Sequence, residues 1–412
     1  MSGTARRLAV GLVAVALIAG ACGSSGNKTG ASGETSTTAP TPQGAPIKLG
    51  VIVTTSGAGN HFPEIPVGAR AAANAINAAG GVKDPAGGPN HPIEIDVCDD
   101  AFDPSHSASC ARQMVSDKVL ALVGNVSANG DVYAPIVYAA GIPLVGIQPN
   151  SGSESLNELS YPISGGSVVM LLSNVAFLAK QGVTKLTVEH VQNAAADFLV
   201  STLKKKAASL GMTVVNDVPA PPDAPDLTPY AARLTAAGSQ GAVLVEASDR
   251  IARFITALGQ AGVSLEKFKI VGQLNPSALA TLGATADGYY GVDSGFPVDD
   301  TANAGIKRFA KEYAAVKGGP GPSTFALQAW VDVHVIAETL IPKMAALDSA
   351  ALINAMKTIG PINRPEWTPW DWSQPVEAVP GLKLRAFSNK VLYSKADNGR
   401  YRPLTPTFTS YL

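Results

Sequence analysis

Residues 98–110 read CDDAFDPSHSASC and bring two cysteines, three aspartates and one histidine into thirteen positions. Thiolates, imidazoles and carboxylates are zinc ligands in proteins, so one interpretation of this segment is a metal site. The other interpretation is a disulfide between Cys98 and Cys110 that closes a short loop around an ordinary helix cap. The compartment in which the chain folds decides between them, because disulfides persist in oxidising environments.

The start of the chain is typical of a bacterial lipoprotein. Two arginines precede an uncharged stretch, residues 8–21, which is shorter than the ~20 apolar residues that span a bilayer. Three small residues then lead into Cys22, as in a lipobox. We therefore predict a signal peptide at 1–21 and an extracytoplasmic protein that lipidated Cys22 anchors to the cell membrane. An ordinary signal peptide with an incidental cysteine is the alternative.

A polar segment separates this signal from the rest of the chain. Residues 22–46 contain no aromatic or large aliphatic side chain, so we predict a flexible tether. The 366 residues that follow are enough for two lobes with separate cores. Without the predicted signal, 29 basic and 32 acidic residues leave a net charge of −3, and no long basic run exists. This balance argues against a nucleic-acid partner.

The compartment favours the disulfide. The run PIEIDV predicts a strand that ends at Cys98, and Asp103 followed by Pro104 predicts an N-cap and the first residue of a helix. A helix that folds back over this strand brings Cys110 close to Cys98. A zinc site would need further ligands besides His106, and no second Cys/His cluster occurs. We predict a disulfide that contributes about 3 kcal/mol, and no metal site.

Enzyme motifs are missing from the strand-to-helix junctions. Neither G-x-S-x-G, H-E-x-x-H nor G-x-G-x-x-G occurs there, and the five histidines are scattered without ligand spacing. We predict a binding protein that is not an enzyme and that needs no cofactor.

Strand and helix patterns alternate from residue 47 onward. Near-continuous apolar runs such as IKLGVIV (47–53) and GAVLVEA (241–247) are typical of buried parallel strands. The alternation predicts an α/β protein with doubly wound, Rossmann-like parallel sheets. Two series of similar length, separated by a break at 161–166, favour two lobes over an eight-stranded barrel.

Five blocks of sequence occur in a fixed order between residues 47 and 345. They are IKLGVIVTTSGAGN, GARAAANAINAAGGV, IDVCDDAFDP, VLALVGNVSANGDVYAPIVYAAGIPLVG and ALQAWVDVHVIAETL. In order and spacing they resemble the type I periplasmic binding proteins of the branched-chain amino-acid transport class. The resemblance implies a ligand cleft between two discontinuous lobes joined by crossing hinge strands. We expect the first lobe from 47–163 and 293–380, and the second from 164–292 and 381–412.

The resemblance also implies a function. A monomeric member of this class captures a small polar organic ligand, such as an amino acid or amide, by cleft closure. It then delivers the ligand to the permease subunits of an ABC importer. A sensory receptor that reports ligand occupancy to a membrane signalling partner would have the same fold, and it is the alternative.

The ligand is expected at the loops that follow the carboxyl ends of the strands. These loops are 54–60, 125–129, 146–151, 191–195, 246–249 and 273–276. Members of the class hold a ligand carboxylate with a hydroxyl and backbone amides, and here Ala128 takes the hydroxyl position. In the second lobe, members use an aromatic residue and a carboxylate around the ligand ammonium. Here Ala195 replaces the aromatic residue, and the expected acid is replaced within 273–275, so that Glu246 or Asp249 is expected to supply the charge. These departures leave open both an α-amino acid and another small polar molecule.

The predicted ligand contacts come from both lobes. Asp99 and Asp100 are expected instead to fix the loop around them by hydrogen bonds. The predicted contacts are Ser56, Gly57, Ser127, Ala128, Asn129, Gln148, Asn150, Ser151, Gln192, Glu246, Ser248 and Gln273. The segment RPEWTPWDW (364–372) holds three of the four tryptophans, and we predict that it packs over a lobe.

Overall fold

The computed structural model describes residues 40–57, 61–192, 194–377 and 384–412. The predicted signal peptide, Cys22 and most of the predicted tether lie outside these ranges. Within them, no helix combines the length and the apolar character that a membrane span requires.

A five-stranded parallel sheet with helices on its faces forms the first lobe. Its elements are β1 (Ile47–Val53), α1 (Glu64–Ala78), β2 (Ile93–Asp99), α2 (Pro104–Ser116), β3 (Ala121–Val123), α3 (Gly130–Ala139), β4 (Leu144–Val145), α4 (Gly152–Leu156) and β5 (Ser160–Tyr161). The strand order is β2-β1-β3-β4-β5. Since β1 is covered on both faces, six of its seven residues are buried, as its apolar run predicts.

A second sheet begins with the next series of elements. They are α5 (Gly166–Lys180), β6 (Lys185–Val191), α6 (Ala194–Ser209), β7 (Thr213–Ala220), α7 (Thr228–Leu234), β8 (Gly241–Val245), α8 (Ser248–Gln260), β9 (Lys269–Gly272), α9 (Pro276–Leu282) and β10 (Tyr290–Asp293). All pairs among these strands are parallel. Helix α8 buries Ile251, Phe254, Ile255 and Leu258, which share one face by their spacing.

The chain then returns to the first lobe before it ends in the second sheet. The returning elements are α10 (Ala304–Ala314), α11 (Thr324–His334), α12 (Ser349–Thr358), β11 (Ile362–Arg364) and β12 (Trp367–Trp370). The last strands are β13 (Lys390–Asp397), β14 (Arg400–Pro403) and β15 (Thr409–Ser410). Strand β13 pairs antiparallel with β10, which gives the order β14-β13-β10-β9-β8-β6-β7. Two doubly wound lobes with crossing connections are therefore present, as the alternation and the resemblance predict.

Helix α11 fixes the ends of β3 and β4. Its fully buried Asp332 accepts a hydrogen bond from the backbone N–H of Gly124 at 3.1 Å, and its Gln328 side chain donates to the carbonyl of Gly146. Gly146 has a φ of 69°, and a Cβ at this position would overlap the carboxyl group of Asp332. Only glycine fits there, and the loops after β3 and β4 consequently have rigid supports.

The tryptophan-rich segment lies against the connections between the lobes. Trp367, Trp370 and Trp372 join the apolar core of the first lobe, as predicted. The indole N–H of Trp372 also donates to the carbonyl of Pro162 at 2.9 Å, and the backbone N–H of Thr368 donates to the carbonyl of Ser294 at 2.7 Å. The segment therefore ties together two crossings that are far apart in the sequence.

Candidate ligand-binding cleft

A cleft of about 650 Å³ opens where the carboxyl ends of the two parallel sheets face each other. The loops after β1, β3 and β4 line it from the first lobe, and the ends of β6, β8 and β9 line it from the second. The edge at which parallel strands end is where open α/β sheets bind ligands. The volume lies within the usual range for small-molecule sites.

The loop between β2 and α2 is closed by a disulfide and has a strained backbone. Cys98 and Cys110 form a disulfide with a Cα–Cα distance of 5.6 Å, which confirms the predicted bridge. The Asp103 side chain caps α2, also as predicted, by accepting from two backbone N–H groups. Between these fixed points, Ala101 and Phe102 both have a positive φ, of 51° and 60°. Non-glycine residues adopt such angles only where the surroundings enforce them.

Asp100 lies beneath the first-lobe wall of the cleft and is fully buried. Its carboxylate accepts from the Thr54 hydroxyl at 2.6 Å, from the Ser127 hydroxyl, from the Asn129 amide at 3.2 Å and from the backbone N–H of Phe102 at 3.1 Å. Four donors thus satisfy one protein carboxylate. Ser127 and Asn129, both predicted ligand contacts, use their side-chain donors to hydrogen-bond Asp100.

The neighbouring Asp99 organises the outer part of the same loop. Burial alone would raise the pKa of Asp99, but hydrogen bonds from Ser56, Thr55 and Ala101 outweigh it and hold the pKa well below its usual range. Ser56 donates to this carboxylate at 2.6 Å. Gly57 has a φ of 89°, and a Cβ there would collide with the carbonyl of Ala101. The two aspartates therefore fix the loop, as expected, and neither Ser56 nor Gly57 lines the cleft.

Polar side chains from the end of β4 and the start of α5 meet on one wall. Gln148 donates to the Ser167 hydroxyl at 3.4 Å, and Ser167 donates to the side-chain oxygen of Asn150 at 2.7 Å. All three residues line the cleft. Ser151 does not, because its hydroxyl caps α4 by accepting from the backbone N–H of Glu154.

Glu246 contributes backbone to the cleft but turns its carboxylate away. The side chain is fully buried and pairs with the guanidinium of Arg250 at 2.8 Å. Glu189 lies beside it, and burial together with the charge of Glu246 raises the pKa of Glu189 far above the ordinary value of a glutamate. At neutral pH, Glu189 is consequently protonated, and the three groups together carry no net charge. Asp249 is exposed and lines the cleft.

Of the three remaining second-lobe residues that are predicted to contact the ligand, two line the cleft and one does not. Ser248 lines the cleft and accepts from the backbone N–H of Asn275 at 2.8 Å. Gln273 lines it and donates to Asp293 at 3.4 Å. Gln192 is exposed and lies outside the lining. Of the predicted contacts, the structure brings together Ser127, Ala128, Gln148, Asn150, Glu246, Ser248 and Gln273.

Apolar residues that the sequence reasoning missed form much of the cleft wall. Phe62 and Phe325 pack edge to face with ring centroids 5.1 Å apart, and Phe102 is 37% exposed beside them. Met170 and Leu171, on the first turns of α5, lie on the second-lobe side. The available sequence signal for Phe102 is its place between two aspartates directly after a strand, where a large apolar residue has no core to enter.

Charge is scarce in this site. Among the lining residues that the structure describes there is no lysine or arginine, and the acidic ones are Glu246 and Asp249. Over the same described ranges, no group of three or more His, Cys, Asp and Glu side chains could hold a metal ion. The arrangement can enclose a small molecule and hydrogen-bond it.

Two parallel α/β lobes with a ligand-sized cleft between their strand ends define a solute-binding protein. The chain belongs to the periplasmic binding protein family, whose sequence profile matches residues 46–377. Members are binding proteins and receptors, not enzymes, and they work outside the cytoplasmic membrane. No curated protein sequence matches the chain.

Solved structures of similar fold cover nearly the whole chain. A substrate-binding periplasmic protein from Ralstonia solanacearum has 18% identity and a TM-score of 0.74 over 87% of this chain and 99% of its own. A solute-binding protein of an ABC transporter from R. palustris, in complex with benzoate, has 17% identity and a TM-score of 0.69 over 89% and 98%. A fatty acid ABC transporter substrate-binding protein from Thermomonospora curvata has 18% identity and a TM-score of 0.71 over 90% and 95%. At these identities, the likeness shows the fold.

Proposed function

We propose that this protein is a lipid-anchored solute-binding protein that captures a small organic ligand in the cleft and delivers it to an ABC importer. The observation that carries the proposal is the 650 Å³ cleft between the facing strand ends of two lobes. Two proteins of similar fold support the importer role: the solute-binding protein of an ABC transporter from R. palustris, solved in complex with benzoate, and the fatty acid ABC transporter substrate-binding protein from T. curvata.

Capture would proceed by closure of the lobes around the ligand. The walls on either side of the cleft are rigid, because buried side chains hold the loops that form them. The chain passes between the lobes near Ile163, near Ser294 and between β12 and β13, so bending at these three connections would change the separation of the lobes with little repacking. Closure would exclude water and strengthen the hydrogen bonds that the ligand makes to both walls.

Delivery would require the protein to stay near its permease. Lipidation of Cys22 would keep the binding domain at the outer face of the cell membrane, to which the polar segment up to residue 46 would connect it. Metabolic labelling with a fatty acid is expected to label the native protein and not the Cys22→Ala variant. Equal labelling of the two proteins, or no labelling of either, would contradict the anchor.

The binding role is tested by native mass spectrometry and thermal-shift screening of residues 23–412, called the soluble domain below. We expect a co-purified small molecule, or a screened compound that raises the melting temperature by several degrees. The variant Ala247→Trp fills the cleft from the end of β8 and is expected to lose this binding. Leu404→Trp, which changes an exposed residue outside the cleft, is the matched control. Equal binding by both variants would place the ligand elsewhere.

The importer role needs a separate test in cells. Deleting the gene is expected to abolish uptake of the compound identified by the screen, and the native protein is expected to restore it. The Ala247→Trp variant should fail to restore uptake, while Leu404→Trp should succeed. Uptake that persists without the gene would contradict the importer role and leave the binding role intact.

A further inference from the structure

We propose that the ligand is an uncharged amphipathic molecule. It would have an apolar body and one neutral head group, a carboxamide or an alcohol, that both donates and accepts hydrogen bonds. This inference rests on the proposed binding function and assigns the ligand class of the same cleft. Four observations support it. The first-lobe donors around Asp100 are occupied by the protein, the cleft lining has no lysine or arginine among the described residues, two side-chain amides lie on one wall, and aromatic side chains form another.

The hydroxyl and amide donors around Asp100 are already occupied by the protein. The hydroxyls of Thr54 and Ser127 and the amide of Asn129 all donate to the buried carboxylate of Asp100. A ligand carboxylate would have to displace Asp100, which cannot reach water, or lie next to a like charge in a buried wall. Both alternatives are unfavourable, since a buried carboxylate without partners is strongly destabilised. The first-lobe wall therefore discriminates against anions.

The rest of the described lining provides no compensating positive charge. Lysine and arginine are absent from it, and the nearby guanidinium of Arg250 is directed away. That guanidinium donates to Glu246 at 2.8 Å and to the carbonyl of Pro222 at 3.0 Å, with its side chain only 5% exposed. The histidine of the described lining, His61, is exposed to water, and its Nε2 lies 2.8 Å from the carbonyl of Gly57. An anion in the cleft would consequently find no lysine or arginine as a partner.

A cationic ligand is not favoured either. The carboxylate of Glu246 is paired with Arg250 and closed off from the cleft. Protonated Glu189 adds no negative charge beside it. The one acidic side chain that faces the cleft among the described lining residues is Asp249, and it is exposed to water. Ion pairs at water-exposed positions contribute little to binding.

The polar wall instead matches a neutral head group. Ser167 links the two amides of Gln148 and Asn150 by accepting from one and donating to the other. Within the described part of the chain, this leaves the oxygen of Gln148 as an acceptor and the nitrogen of Asn150 as a donor. A carboxamide or hydroxyl can satisfy both, whereas a carboxylate only accepts and an ammonium only donates.

The apolar body of the ligand would lie against the aromatic wall. Phe102 is held at the cleft with 37% of its surface exposed, on a backbone that the disulfide and two aspartates constrain. Phe62 and Phe325 continue this surface on the first lobe, and Met170 and Leu171 oppose it on the second. An exposed large side chain on a strained backbone is unfavourable in the free protein, and a ligand that covers it would remove that exposure.

The test compares ligands that share an apolar body and differ in charge. We would measure the Kd of the soluble domain for 3-phenylpropanamide, 3-phenylpropan-1-ol, 3-phenylpropanoate and 3-phenylpropylamine by calorimetry, and repeat the series with hexyl bodies. We expect the amide and the alcohol to bind at least tenfold more tightly than the carboxylate and the amine. Equal or tighter binding of the carboxylate or the amine would overturn the inference while leaving the binding function in place.

Two variants separate the head-group site from the apolar wall. Gln148→Lys adds a cation to the polar wall and is expected to improve carboxylate binding at least tenfold relative to the amide. Phe102→Ala is expected to weaken every member of the series about tenfold without changing the order, and Leu404→Ala should change nothing. If Gln148→Lys left the order unaltered, the head-group assignment would be wrong. No binding by any member, together with no co-purified molecule, would count against the proposed function and the inference with it.

Discussion

The indole N–H of Trp367 donates to the carbonyl of Ile163 across 2.8 Å and joins two residues that are 204 positions apart. Ile163 lies on the first connection between the lobes, and Trp367 begins β12 with its side chain almost completely buried. Nearby, the backbone of Gly295 bridges to Trp367 on the second connection. One tryptophan thus contacts two of the three crossings between the lobes.

Replacing Trp367 by Phe should lower the free energy of unfolding more than the same change at Trp370. Both indoles are buried, but the N–H of Trp370 has no hydrogen-bond partner among the residues that the structure describes. Replacing an indole by a phenyl ring removes a similar packing contribution at both sites. The difference in the free energy of unfolding between the variants therefore isolates the hydrogen bond to Ile163, which contributes about 1–2 kcal/mol. Urea denaturation of the two variants measures it. Equal losses would show that the Trp367 hydrogen bond adds nothing to stability.

Either Glu189 or Glu246 alone should be able to neutralise the charge of Arg250. Glu189→Gln leaves the Glu246–Arg250 pair intact, and Glu246→Gln removes a negative charge that raises the pKa of Glu189, so that Glu189 can ionise beside the guanidinium. Each single variant should therefore lose about 1 kcal/mol or less. The double variant leaves Arg250 buried without an anion and should lose about 3–5 kcal/mol. Denaturant unfolding of the four proteins gives the coupling free energy. Additive losses would mean that the two carboxyl groups do not share this role.

Asp293 should make stability fall as pH rises. Burial raises its pKa from 3.8 to about 7, despite hydrogen bonds from Gln273 and Thr324 that lower it. Between these two values the unfolded chain is ionised while the folded protein keeps the proton, so the free energy of unfolding decreases with increasing pH and levels off above about 7. The total decrease is about 4 kcal/mol at most. Asp293→Asn should flatten this part of the profile measured by thermal unfolding, and an unchanged slope would contradict the assignment.

Loss of the disulfide should destabilise the protein and loosen the aromatic wall. The Cys98→Ala/Cys110→Ala variant should lose about 3 kcal/mol, because the bridge restricts the unfolded chain. A reductant should lower the melting temperature of the native protein to that of the variant and leave the variant unaffected. Binding of apolar ligands should also weaken, since Phe102 lies on the closed loop. Unchanged stability after reduction would show that the bridge does not stabilise the folded protein.

Much of the fold could be predicted from local pattern. Strand β1 occupies the predicted residues 47–53, and α2 begins at Pro104 after its predicted cap. The disulfide followed from compartment, strand and cap taken together. These features depend on short-range periodicity and on a few residues with strong conformational preferences, which a sequence displays directly.

The details of the site depended on contacts between distant residues. Glu246 is placed at the cleft by the end of β8, but its carboxylate turns inward because Glu189 and Arg250 are both buried beside it. Ser127 and Asn129 were expected to face the ligand, and their partner Asp100 comes from another strand. The position of a residue on an element can be predicted from sequence, whereas the direction of its polar group depends on which partners the fold brings near.

Three of the four tryptophans lie in residues 364–372, next to the connections between the lobes, and the fourth lies in the core of the first lobe. The second lobe therefore contributes no indole to the emission of the protein. Lobe closure as proposed would change the surroundings of the connection indoles while leaving Trp330 in place. The tryptophans at the connections thus provide an intrinsic fluorescence signal for bending between the lobes. Stopped-flow fluorescence could measure the rate of that bending without any attached dye.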